Sequence, residues 1–127
     1  AKAGGMEAII QSMRKHYWNA VVQFNCWCAF SSGTQSPNEE KFIEVGGIEL
    51  AVQVMRDHPK SKRVREEVMQ SMRAVAMKSS TFRSRIFDAG FGHEVVIALR
   101  ESPFDLHQQS AGCANVALLA DNNATIR

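Results

Sequence analysis

The chain of 127 residues has little cysteine, three residues in all, and equally little proline. An odd cysteine count excludes a fully paired disulfide scaffold. Cys26 and Cys28 stand two apart on an expected helix, where they point to different faces and cannot bridge without distortion. All three are expected to be reduced and buried, because free cysteine is among the most buried residue types. No apolar run approaches the roughly eighteen residues of a membrane span, and the first residues show no charged start leading into an apolar core. No membrane is therefore expected as a partner, and the expected setting is cytoplasmic, with the nucleus as the alternative. Catalytic patterns are missing too: there is no Gly-x-x-x-x-Gly-Lys-Ser/Thr loop, no Gly-x-Ser-x-Gly elbow and no His-Glu-x-x-His helix. His16, His58, His93 and His107 fall in different segments and are expected at the surface, whereas metal ligation would need at least two within a turn. No enzyme, metal or cofactor is expected. Asn123-Ala124-Thr125 matches a glycosylation acceptor, which has meaning only on a secretory route.

What the chain does contain is one apolar stripe written three times. Met6, Ile9, Ile10, Met13 are followed by Ile48, Ala51, Val52, Met55 and then by Gly92, Val95, Val96, Leu99. Each set has the i, i+3, i+4, i+7 spacing of one buried helix face, and each follows a glycine, at Gly4, Gly46 and Gly90. Successive copies lie 42 and 44 residues apart. Repetition at that period predicts stacked supersecondary units, none of which can bury its apolar face alone.

The middle copy shows the whole unit. A short helix is predicted near residues 39–45, then a break at Gly46 and Gly47, a helix to about Arg56, a stop at His58, Pro59 and Lys60, and a long helix from about Lys62 to Lys78. Val64, Val68, Met72 and Val75 turn one face of that long helix inward, with Ser71 and Ala76 as small fillers. The corresponding inward sets are Val22, Cys26, Ala29 and Phe30 in the first copy and Ala111, Ala114 and Leu118 in the third. Gln35, Ser36, Pro37 and Asn38 mark one inter-unit loop, and residues 78–81 the other.

These residues carry a family resemblance. "FIEVGGIELAVQVM" at 42–55 with "VREEVMQSMRAVA" at 64–76 resembles the armadillo repeat, and "VQFNCWCAF" at 22–30 and "HQQSAGCANVALLA" at 107–120 are weaker versions of its long-helix motif. The HEAT repeat, a helical hairpin without the short first helix, is the nearest alternative. The resemblance implies an all-α, right-handed α-solenoid of about three three-helix repeats. These form one domain over 1–127, with units at roughly 4–45, 46–89 and 90–127. The long helices would line a concave, non-catalytic protein-binding surface. The chain opens at a glycine turn and closes near Ile126, which matches the short helix of a further unit, so a piece of a longer array is expected. Self-association through exposed repeat ends is expected with it.

Charge bears on the partner. From Arg56 to Arg85 nine basic residues face three acids, a local balance of +6 in a chain whose net charge is only +2. Such a cluster suits an acidic or phosphorylated protein segment. It suits nucleic acid less well, because the few aromatics offer little stacking. The tryptophan–asparagine ladder by which armadillo import receptors clamp basic peptides is missing: Cys28, Gln70 and Cys113 stand at its tryptophan positions, and Ser32, Ala74 and Ala117 at its asparagine positions. The expected contacts are Gln70, Arg73 and Lys78 at the centre, Trp27 as an apolar anchor and Asn115 as a hydrogen-bonder to a partner's backbone. Core packing is the alternative for Trp27, and more so for Trp18. A purely structural, self-assembling segment is the alternative to partner binding.

Overall fold

The computed structural model describes residues 5–32 and 36–122. Within them the chain is all-helical. The helices are α1 Gly5–Lys15, α2 Ala20–Ser32, α3 Ser36–Glu44, α4 Gly47–Asp57, α5 Lys62–Ala76, α6 Ser80–Asp88, α7 Phe91–Glu101 and α8 Leu106–Asn122. The three stripes become α1, α4 and α7. Every stripe residue of α4 is buried, while α1 leaves Ile9 half-buried and α7 leaves Val96 and Leu99 half-buried.

Glycine begins α4 and α7 for a steric reason. Gly46 and Gly90 sit at φ 88° and 90°, in the left-handed region that a Cβ disfavours, and this reverses the chain between a short helix and the next one. Gly4 lies outside the described residues. At the far ends His58 N–H bonds Val54 O and Ser102 N–H bonds Ala98 O. Pro59 and Pro103 follow and prevent the helices from continuing. One boundary differs from expectation: Ser36, Pro37 and Asn38 open α3 instead of forming a loop, because proline in a first turn lacks only an N–H that would go unpaired there. Gln35 lies outside the described residues.

The hairpin pairs α1–α2, α4–α5 and α7–α8 each pack together, and α5 packs against both α2 and α8. The short helices bridge, α3 between α1 and α4, and α6 against α5, α7 and α8. Phe30 of α2 stacks on Phe42 of α3 at 4.3 Å, and the Trp27 ring stands edge-on to Phe42 at 5.8 Å. Aromatic contacts of this kind add about 0.5–1.5 kcal/mol each beyond their burial.

Polar side chains repeat along the fold as regularly as apolar ones. Gln23 Nε2 donates to Met13 O, Arg65 Nε to Met55 O and Gln109 Nε2 to Leu99 O, each reaching back ten residues to the end of the preceding helix. The donors are spaced 42 and 44 apart, as the stripes are. A second set crosses between long helices. Ser71 Oγ lies 3.5 Å from Trp27 O, and Asn115 Nδ2 bonds Met69 O at 3.0 Å; both pairs occupy equivalent places in successive copies. The first set satisfies last-turn carbonyls at Met13, Met55 and Leu99 that have no partner within their own helices, while the second ties side chains to carbonyls inside α2 and α5.

Candidate functional site

Between α5 and α8 runs an open groove of about 510 Å³. Glu66, Met69, Gln70, Arg73, Ala74 and Met77 of α5 form one wall and His107, Ser110, Ala111 and Ala114 of α8 the other, with Ser31 of α2 and Asn115 also lining it. The α-helical spacing of Gln70, Arg73, Ala74 and Met77 puts them on one side of α5, opposite the buried Val64, Val68, Met72 and Val75. Gln70, Arg73, His107 and Ser110 are all exposed, and none forms an ion pair or side-chain hydrogen bond within the described residues. The groove therefore offers a guanidinium, an amide, an imidazole and a hydroxyl over a strip of alanine and methionine, together with one carboxylate, that of Glu66, which leaves Arg73 to draw an anion. Such a surface can hold a carboxylate or phosphate while an apolar side chain rests beside it.

Of the expected contact residues, Gln70 and Arg73 line this groove, and Lys78 is exposed just beyond the end of α5 without lining it. Trp27 requires correction. It has no accessible surface, its indole N–H donates to Gln23 Oε1 at 3.1 Å, and it packs among Phe30 and Phe42. It is a core residue and offers no anchor. Asn115 is likewise 2% exposed, with both amide hydrogens spent on Met69 O and Ala111 O, so its hydrogen bonding holds helices together. Ala74 borders the groove, and the side chain of Ser32 lies outside the described residues.

Trp18, for which core packing is expected more strongly than for Trp27, is instead 71% exposed. His58 is also corrected: it is buried, with Nε2 2.8 Å from Tyr17 O and its ring tilted against Tyr17 and Trp18. Cysteine burial is less complete than expected. Cys113 is exposed, while Cys26 and Cys28 are half-buried. Burial raises the pKa of both half-buried thiols, and neighbouring Glu67 adds to the rise at Cys28, so both are protonated and poor nucleophiles. Asn123 to Thr125, with Ile126, lie outside the described residues. Within those residues no three His, Cys, Asp or Glu side chains gather in a metal-ligating group.

Ion pairs to α7 engage two arginines of the middle unit. The half-exposed Arg56 meets Glu94, whose carboxylate is 5% exposed, at 3.1 Å, linking the end of α4 to the first turn of α7. Buried Arg65 lies 2.8 Å from Glu101. Both arginines are therefore committed within the fold, and the basic excess of the middle unit is smaller at its surface than in its sequence.

The geometry defines an all-α chain with an open, polar-walled groove between two long helices. Compared with known proteins, it matches no family model, no curated protein and no solved structure.

Proposed function

We propose that the chain is an armadillo-like, right-handed α-solenoid of about three units and acts as a non-catalytic protein-interaction scaffold. It would hold an acidic or phosphorylated segment of a partner, extended or helical, along α5 and α8. The observation that carries this reading is the groove itself, whose Gln70, Arg73, His107 and Ser110 are committed to no partner within the described residues. The solenoid part draws on the polar bonds that recur at the unit spacing and on the packing of α5 between α2 and α8.

An array of acidic and phosphorylated peptides tests the reading, with the affinity of the best binder then measured in solution. Arg73→Glu should weaken that binder about ten-fold or more, as loss of a charge-assisted contact and gain of a like charge together predict. Helicity should not change, because Arg73 is exposed. Unchanged affinity, or an equal loss on Lys60→Glu outside the groove, would sink the assignment.

A further inference from the structure

Four of the five large apolar side chains exposed on the described surface gather at one edge of the molecule. Trp18 is 71% exposed, Val21 68%, Phe104 94% and Leu106 81%. They belong to the loops before α2 and α8 and to the first turns that follow, with the loop before α5 between them. Side-chain contacts join the three loops into a continuous surface. His58 touches Tyr17 O and the Trp18 ring, and Tyr17 donates to Asp57. On the other side Lys62 faces Asp105 at 3.8 Å and Gln108 Nε2 donates to Lys62 O.

Unit spacing orders this edge further. Trp18, Lys60 and Phe104 are 42 and 44 residues apart, so they hold the same position in successive copies, and all three are exposed. The tips thus form a row of aromatic, lysine, aromatic. The acids of this edge are already engaged: Asp57 accepts from Tyr17, Asp105 faces Lys62 and Glu101 faces Arg65. Lys15 and Lys60, both exposed, are in no ion pair within the described residues. With Asp105 and Glu101 paired to cations, Lys15 and Lys60 outnumber the one charged acid left, Asp57, whose hydrogen bond to a neutral phenol does not cancel its charge, and the balance at the edge is positive.

We propose that this edge docks on an anionic lipid bilayer surface, with Trp18 and Phe104 entering the headgroup region and Lys15 and Lys60 facing its phosphates. Tryptophan is favoured at that depth because one end of its ring is apolar and the other polar, and lysine is drawn to the negative surface potential. A protein partner fits less well. Protein anchors sit in packed pockets at the centre of a contact, whereas these side chains project in pairs, Trp18 with Val21 and Phe104 with Leu106, from two separate loop tips. The docking departs from the expectation that the chain meets no membrane, which rested on the lack of a spanning run. Within the described residues no helix is long and apolar enough to cross, so the contact is with the surface only.

Flotation with phosphatidylcholine vesicles, with and without phosphatidylserine, tests the proposal alongside tryptophan emission. Binding is expected only with phosphatidylserine, accompanied by a blue shift that reports Trp18, since Trp27 is already fully buried. The double variant Trp18→Ser, Phe104→Ser should partition about ten-fold less or lower, and Lys60→Glu should weaken binding and flatten its salt dependence. Unchanged thermal unfolding of both variants would show that the fold is intact. Absence of flotation on any composition, or equal flotation of the double variant, overturns the proposal. So does a blue shift that grows with protein concentration without vesicles, which would assign the edge to a second copy of the chain.

Discussion

Tyr17 shows how one residue can tie stability to pH. Burial, and then its hydrogen bond to Asp57, raise its phenol well above the usual value. A group whose folded pKa lies above its unfolded one contributes stability that is whole below the unfolded pKa, about 10 for tyrosine, and is lost as pH rises through the folded value. Urea midpoints should therefore fall above about pH 10 more steeply for the natural chain than for Tyr17→Phe, which has no proton to lose. Asn115 gives a second test, because the two carbonyls it serves lie inside α5 and α8, where helix N–H groups already serve them, so losing the amide is tolerable while an added negative charge is not. Asn115→Asp would bury a carboxylate against two carbonyl oxygens and should cost about 3–5 kcal/mol. Asn115→Leu removes the polar group altogether and should stay within about 1 kcal/mol of the natural chain by urea unfolding.

Among elements, the paired glycine turns separate two costs that usually come together. At Gly90 a Cβ would meet nothing within 4 Å, so Gly90→Ala should cost only the left-handed backbone, about 1–2 kcal/mol. At Gly46 a Cβ would come 3.0 Å from the Arg14 guanidinium, which donates to Val45 O. Gly46→Ala should therefore cost about 1 kcal/mol more, and denaturant unfolding of the two variants reads the difference. The same turns made α4 and α7 legible in the sequence, since a glycine followed by a strict i, i+3, i+4, i+7 stripe leaves one face to bury. The inward face of α5 was equally plain from Val64, Val68, Met72 and Val75, all buried. The other long helices were read about one residue out of register. α2 carries apolar residues on every side, so a 100° step separates Cys26, expected inward, from Trp27, which is. In α8 the buried positions include Gln108, Gly112 and Asn115, a glutamine, a glycine and an asparagine that hydropathy alone assigns outward. Gln70 and Arg73 were legible as groove residues because they share α5 with that unambiguous stripe. The exposure of Trp18 was not, since it depends on how the loop closes over His58.

At the scale of the molecule, α5 has long helices on both flanks, while each neighbour has α5 on one. Stability in such a stack is approximately a sum of unit and neighbour terms. Amide exchange should therefore be slowest in α5 and faster in α1 and α3, and uniform rates across the helices would count against nearest-neighbour stacking. One feature of the fold bears on how such a chain could be rearranged. The ten-residue clasp from Gln23, Arg65 or Gln109 begins and ends inside a single hairpin, so every hairpin carries its own fastener. Recombination that moved α5 without α4 would leave the Met55 carbonyl behind, whereas a crossover at the Gly46 or Gly90 turn would transfer the clasp whole. The glycine turns are thus the natural seams for duplicating, deleting or shuffling these hairpins as cassettes.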